Sequence, residues 1–163
     1  MWAASLLAVL AAASSPAQEG NVVRDAAVDP IYAEAGPEEL LLCPAGTTPR
    51  MTEDQLRERL EAWYGDLVDQ DISAAVDPIL REAPRELRYP RRALRAYGAG
   101  HVVVLILIEK DGSVPEALVT CSSDPLYESS AVEFALGYRF APSTLHGQPI
   151  RSLVRQPVEF GTP

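Results

Sequence analysis

The strongest hydrophobic pattern in the chain is an unbroken run of β-branched and aliphatic residues from Val102 to Ile108. A run of this kind, without polar alternation, is typical of a strand that is buried on both faces. We therefore predict that residues 101–110 form the central strand of a sheet. Asp111 and Gly112 follow directly and predict a hairpin turn, because glycine readily adopts positive φ. Residues 116–122 are the predicted return strand.

A helix and a last strand follow this hairpin. Asp124 and Pro125 are typical of a helix start. The amphipathic residues 126–138 form the helix, with an inward face made of Ala131, Phe134, Ala135 and Tyr138. Residues 150–160 alternate in polarity and predict a strand, and Pro157 within it restricts that strand to an edge or a bulge. We expect it to pair with the free side of the central strand and to form an exposed edge.

A second helical pattern lies earlier in the chain. Thr52 and Gln55 have the spacing of a capping box, in which each residue caps the other at a helix start. The apolar face that follows consists of Leu56, Leu60, Trp63 and Leu67. We interpret this face as core or as a docking surface, and predict a helical extension over residues 51–83. Pro78 either ends the helix or begins a second short one.

The segments around this helix carry weaker patterns. Residues 18–50 contain four prolines and no sustained period, so they are predicted to be irregular, with one short helix near residues 38–42. Tyr89 precedes Pro90, and the residue before proline disfavours helical backbone. A short helix is predicted for residues 91–97, after which Gly98 ends it.

The first residues are typical of a secretory signal peptide. Trp2 to Ala13 is almost entirely apolar, and small residues at Ser15 and Ala17 predict cleavage after Ala17. The apolar run is shorter than the roughly 20 residues that span a bilayer. We therefore expect an exported, periplasmic protein with no transmembrane segment in the mature chain. No Lys or Arg precedes the apolar run, which leaves open a start further upstream.

The net charge of −9 is concentrated in the front half. Residues 18–83 hold five Arg against fifteen Asp and Glu, whereas residues 84–163 are nearly balanced. This distribution argues against nucleic acid as a partner. Arg88, Arg91, Arg92 and Arg95 form a basic cluster, which is either a solvated face or a contact for an acidic partner.

Cys43 and Cys121 are the two cysteines of the chain. An oxidising periplasm permits a disulfide between them, and the sequence leaves open whether they are bonded or free.

The sequence predicts neither an enzyme nor a cofactor. His101 and His146 are the two histidines, and no Cys, His or Asp cluster has the spacing of metal ligands. Ser122 and Ser123 lack the glycine-flanked setting of a nucleophile and are interpreted as helix caps.

The ordered motifs of residues 89–160 resemble the C-terminal domain of the TonB energy-transducer family. The matching pieces are Tyr89-Pro90, Gly100 before Val102-Val103-Val104, Asp111-Gly112-Ser113-Val114, Ser122-Ser123, Leu126, Ala131, Tyr138-Arg139-Phe140-Ala141-Pro142, Gly147-Gln148-Pro149, Val154 and Pro157-Val158-Glu159-Phe160. One departure is Tyr138, where the family often carries Trp. The resemblance implies an α+β fold, namely a small domain with a three-stranded sheet and a split crossover helix, preceded here by the acidic helical extension.

The resemblance also implies a function, which is to bind the TonB box, an extended peptide of outer-membrane transporters. An unpaired edge strand is a template for such strand addition. The expected partner-binding residues are Leu153, Val154, Arg155, Gln156 and Val158 on the last strand, with Arg88 and Arg91 nearby. A homodimer through the same edge is also conceivable.

The sequence thus divides into a signal peptide (1–17), an irregular acidic segment (18–50), a helical extension (51–83) and a TonB C-terminal-like domain (84–163). Three hypotheses follow for its function. The protein is a periplasmic module that binds the TonB box, a complete energy transducer whose start lies upstream, or an envelope assembly protein that uses the acidic segment. The linker is acidic and short, unlike the family's long proline-rich spacer, so the resemblance favours binding over energy transduction.

Overall fold

The computed structural model describes residues 29–31, 37–65, 71–92 and 98–161. In chain order the elements are β1 (Asp29–Ile31), α1 (Pro37–Leu40), β2 (Thr48–Pro49), α2 (Glu53–Tyr64), β3 (Ala75–Val76), β4 (Ile79–Glu82), β5 (Gly100–Ile108), β6 (Glu116–Ser122), a 3-10 turn (Pro125–Tyr127), α3 (Glu128–Leu136), β7 (Arg139–Ala141), β8 (Ser143–Leu145), β9 (Gln148–Ile150) and β10 (Ser152–Phe160). The predicted signal peptide and Leu67 lie outside these residues, as does most of the predicted helix 91–97.

A five-stranded antiparallel sheet organises the fold, in the spatial order β1-β10-β5-β6-β2. The strand predicted to be central, β5, pairs with β10 from Gly100 to Ile108 and with β6 on its other side. The α+β class is therefore confirmed, and the three predicted strands form the middle of the sheet. Two short strands, β1 and β2, widen it at either side. Two small ribbons, β3-β8-β9 and β4-β7, lie outside the main sheet.

Both faces of the sheet are covered, which explains the continuous apolar run of β5. On one face, Val102, Val104, Ile106 and Ile108 join the side chains of α3 in a buried cluster. On the other face, Leu105 and Leu107 pack with residues of α1 and α2. Successive residues of a strand point to opposite faces, so a strand between two helical layers must be apolar at every position.

The helix α2 belongs to the core of the fold through its apolar stripe. Leu56 is fully buried in the cluster that contains Leu105 and Leu153. The predicted capping box is present, since the Gln55 N–H donates to Thr52 Oγ1 at 3.3 Å and the Thr52 N–H donates to Gln55 Oε1 at 2.9 Å.

The predicted helical extension over residues 51–83 is wrong in its second part, because residues 75–76 and 79–82 are strands, and Pro78 lies between these strands and does not begin a second helix. Both short strands pair with partners much later in sequence, and β4 is exposed at every position. An exposed strand has no alternation of apolar and polar residues, so no local pattern in the sequence distinguishes it.

A disulfide joins Cys43, after α1, to Cys121 in β6. Cys121 is fully buried, and its strand also pairs with β2 at Pro49. The irregular segment is thus bonded covalently to the main sheet, one strand away from β5.

Candidate functional site

The outer side of β10 is the candidate site, and part of it is already occupied. Leu153, Val154 and Arg155 pair with β1, in the register Ile31↔Leu153, Pro30↔Val154 and Asp29↔Arg155. The expectation of an open edge is therefore wrong for these three residues. Within the described part of the chain, the outer side of residues 156–160 remains unpaired.

The two prolines show which backbone groups of β10 point outward. Pro157 has no N–H and pairs with Val103 of β5, so it must lie where the ladder to β5 needs no donor. In an antiparallel sheet, every second residue of a strand points its N–H and C=O groups toward the same neighbouring strand. Leu153, Arg155 and Glu159 therefore also direct these groups outward. Pro30 lies opposite Val154, a position at which β1 donates no hydrogen bond to β10, so the missing N–H of proline leaves no group unpaired.

Most side chains of the predicted site residues on β10 are buried in the core. These residues therefore present mainly their backbone groups at the edge. Val154 and Val158 are buried in the cluster with α3, and Leu153 is buried against α2. Gln156 is also buried, and its amide nitrogen donates to the carbonyl of Pro157 at 2.9 Å. Recognition at this edge would therefore depend on main-chain hydrogen bonds more than on side-chain pockets.

Arg155 is the one charged side chain among the predicted site residues of β10. Its guanidinium donates to the carbonyl oxygen of Leu42 at 2.5 Å, which ties the strand to the loop after α1. Its Nε is buried and makes no hydrogen bond to any side chain that the structure describes.

An aromatic cluster fixes the end of β10. The ring of Phe160 lies 4.8 Å from that of Tyr127 and 5.9 Å from that of Tyr89, between centroids. Both tyrosine hydroxyls donate to the carbonyl of Gly98, that of Tyr127 at 2.8 Å. Burial raises the pKa of Tyr127 to about 12, so this hydroxyl is neutral at physiological pH. The predicted Tyr89-Pro90 motif thus anchors the strand.

The predicted basic residues Arg88 and Arg91 lie in the segment before β5, outside β10. Arg88 lines a cavity of about 300 Å³ together with Pro84, Glu86, Ser130, Glu133 and Phe134, none of which belongs to β10. Arg91 is exposed.

The described ranges contain no group of three or more His, Cys, Asp or Glu residues that could hold a metal ion. They also contain no helix with the length and apolar content needed to cross a membrane.

This chain is similar to known proteins over its second half. Residues 85–162 match the sequence model of the family described as "Gram-negative bacterial TonB protein C-terminal". Two curated proteins named "Protein TonB", from Xanthomonas campestris pv. campestris strains B100 and ATCC 33913, are each 33% identical over 91 residues. The alignment covers 55% of this chain and 40% of each relative, so the chain spans less than half the length of these relatives. A solution NMR structure of the Pseudomonas aeruginosa TonB C-terminal domain aligns at 20% identity with a TM-score of 0.42, over 57% of this chain and 89% of that one.

Proposed function

Since residues 85–162 form a TonB C-terminal domain, we propose that this protein is a periplasmic binding module. It takes the TonB box of an outer-membrane transporter as an added strand along β10. We propose further that it acts by binding alone and catalyses no reaction.

One observation carries this proposal, namely the position of β10 in the sheet. It is a long strand, Ser152–Phe160, and among the described residues its outer side is paired only with the three residues of β1. Strand addition needs a row of unpaired backbone groups. Residues 156–160 offer such a row next to the occupied part.

The open part of the edge is too short to bind a peptide by itself. With the alternation set by Pro157, it offers about three outward groups, namely both backbone groups of Glu159 and the carbonyl of Pro157, which also accepts from the Gln156 amide. At about 0.5–1.5 kcal/mol net for each hydrogen bond, these contribute roughly 1.5–4.5 kcal/mol. Association costs roughly 4–15 kcal/mol. A bound peptide therefore has to use the backbone of Leu153 and Arg155 as well.

The test is an NMR titration of the ¹⁵N-labelled chain from residue 18 onward. Peptides copied from the TonB boxes of transporters in the same genome are added up to millimolar concentration. We expect shifts in the amide signals of β10, foremost Arg155 and Glu159. The absence of any shift with every peptide would refute the proposal.

A pair of variants at Glu159 separates backbone recognition from charge. Glu159→Pro removes an outward N–H without removing a bond to β5, and should raise Kd several-fold. Glu159→Gln keeps the N–H and removes the charge, and should bind like the parent chain. Equal affinities for the two variants would contradict strand addition at this position.

A second candidate function, an assembly role in the cell envelope, is favoured by the exposed acidic side of α2. Asp54, Glu58 and Glu61 are exposed on this helix, whose opposite side is fixed to the sheet by Leu56. An acidic face held rigidly suits a basic partner. The double variant Glu58→Lys/Glu61→Lys should then lose crosslinked partners from periplasm while keeping its affinity for TonB-box peptides.

A further inference from the structure

A six-residue sequence occurs twice in this chain. Ala26-Ala27-Val28-Asp29-Pro30-Ile31 is identical to Ala74-Ala75-Val76-Asp77-Pro78-Ile79.

The described part of the first copy is the strand on the candidate site. Residues 29–31 are β1, and they pair with Leu153, Val154 and Arg155. The second copy is built into the fold elsewhere, because β3 pairs with β8 and β4 pairs with β7. The second copy still leaves Val76 and Ile79 mostly exposed, at 59% and 56%. The described residues of the first copy, 29–31, are one strand, whereas in the second copy only Ala75, Val76 and Ile79 are in strands.

The register of β1 explains why this sequence suits the edge of β10. Pro30 lies opposite Val154, whose backbone groups point toward β5 and not toward β1. The added strand therefore donates no hydrogen bond at this position, and proline fits there. Asp29 and Ile31 are then the residues that exchange hydrogen bonds with Arg155 and Leu153. The register also places an acidic residue, Asp29, opposite Arg155. Opposite charges across an antiparallel pair are favourable.

The form of β1 also prevents a further strand from adding. It is three residues long and has proline at its middle, and short strands that carry proline are a common way to protect a sheet edge. The segment therefore completes the sheet and closes it.

We propose that the edge of β10 is a binding site for an extended peptide of the pattern acid–proline–β-branched residue, which the chain's own residues 29–31 fill at rest. A transporter peptide, in the function proposed above, binds by displacing this segment. The open residues 156–160 are where the incoming peptide begins to pair, and Leu153 and Arg155 become available as β1 leaves. Binding is then set by a competition between two strands for one edge.

The experiment compares two substitutions of Ile31 in the chain from residue 18 onward. Ile31→Pro removes an N–H that pairs with Leu153, whereas Ile31→Val keeps it and serves as the matched control. Amide hydrogen exchange is measured first, without any ligand. We expect exchange at Leu153 and Arg155 to become at least ten-fold faster in Ile31→Pro and to be unchanged in Ile31→Val. Val154 and Gln156, which bond to β5, should be unaffected in both.

A synthetic peptide of the repeated hexapeptide then tests the specificity of the edge. Added to Ile31→Pro, it should restore slow exchange at Leu153 and Arg155, while a scrambled peptide of the same composition should not. Asp29→Lys, which places a like charge opposite Arg155, should loosen the segment as a second, milder variant. Unchanged exchange in both Ile31→Pro and Asp29→Lys would overturn the proposal, as would equal protection by the scrambled peptide.

Transporter-peptide affinity finally separates this inference from the function on which it rests. A several-fold lower Kd in Ile31→Pro than in Ile31→Val supports the competition. Equal Kd values in the two variants overturn the competition and leave the proposed function standing. No binding to either variant refutes the proposed function, and the exchange and hexapeptide results still decide whether residues 29–31 fill the edge.

Discussion

Cys43 is bonded to Cys121 across a sequence separation of 78 residues, so the loop after α1 is fixed to the buried strand β6. The segment between them contains α2 and the lead-in to β5. The bond therefore holds the helical layer on one face of the sheet, and this layer includes Leu42, whose carbonyl accepts from Arg155 at the candidate site.

We expect reduction of this disulfide to lower the stability of the fold substantially. The chain-entropy model assigns about 4–5 kcal/mol to a loop of this length, because the bond restricts the unfolded chain. The measurement is urea denaturation with and without dithiothreitol. The double variant Cys43→Ala/Cys121→Ala should unfold at the lower urea concentration and should not respond to the reductant. Coinciding curves for the parent chain in both conditions would contradict this expectation.

Replacement of Leu56 by Ala tests whether α2 belongs to the core. Leu56 is completely buried against Leu105 and Leu153, and such truncations cost about 2–5 kcal/mol through lost burial and the cavity left behind. Glu58→Ala on the exposed side of the same helix is the matched control and should stay within about 0.5 kcal/mol of the parent. A loss for Leu56→Ala no larger than for Glu58→Ala would mean that the helix is only loosely attached.

The central strands could be predicted from sequence because their signals are local. The run from Val102 to Ile108 marks a strand covered on both faces, and Asp111-Gly112 marks the turn, where Gly112 has φ of 82°. The strands β1 and β2 have three and two residues, too few for any period. Asp29 and Pro30 also belong to the residue types that strands disfavour. Their pairing is fixed by partners far away in the chain, which no local pattern encodes.

The candidate site was predictable only in part for the same reason. Pro157 indicated an edge, and β10 is indeed the outermost long strand. That residues 29–31 occupy this edge follows from long-range pairing, which no local pattern in the sequence marks. The role expected of Arg88 rested on its charge, and its cavity beside Glu133 could not be inferred from its position in the sequence.

Acid should weaken the contact between α2 and the end of β5. The Arg151 guanidinium donates to Glu109 Oε1 at 2.9 Å and to the Trp63 carbonyl at 3.2 Å, and it lies 5.0 Å from the Trp63 ring centroid. This hydrogen bond lowers the pKa of Glu109 below its usual value. A carboxylate with a lower pKa in the folded state stabilises the fold above its unfolded pKa, and the contribution is lost as the pH falls through the folded pKa.

The corresponding measurement is the free energy of unfolding between pH 7 and pH 3 for the parent chain and for Glu109→Gln. The parent should lose more stability across this interval, because only it carries the titrating carboxylate. Identical pH profiles for the two chains would show that the Glu109–Arg151 contact contributes nothing to stability.

Alanine at position 100 should disturb the aromatic anchor at the end of β10. A Cβ on Gly100 would lie 2.5 Å from the ring of Tyr127, which also packs on Phe160. Overpacking of this kind costs about 1–3 kcal/mol. Gly161→Ala is the matched control, since a Cβ there would meet no atom within 4 Å. Thermal unfolding should therefore show a lower Tm for Gly100→Ala only, and equal values would mean that the Tyr127 ring moves aside without cost.

Removal of the front half should expose an apolar face of the sheet. A chain that begins at residue 84 keeps the segment that matches the TonB C-terminal family but loses α1 and α2, which cover Leu105, Leu107, Leu118 and Leu153. We expect this short chain to bind a hydrophobic dye and to self-associate, because large exposed apolar patches are rare on soluble monomers. A chain from residue 37 keeps both helices and the disulfide and should remain monomeric without binding the dye. If both chains are monomeric and equally stable, then the helical layer is an accessory and the sheet needs only α3 to fold.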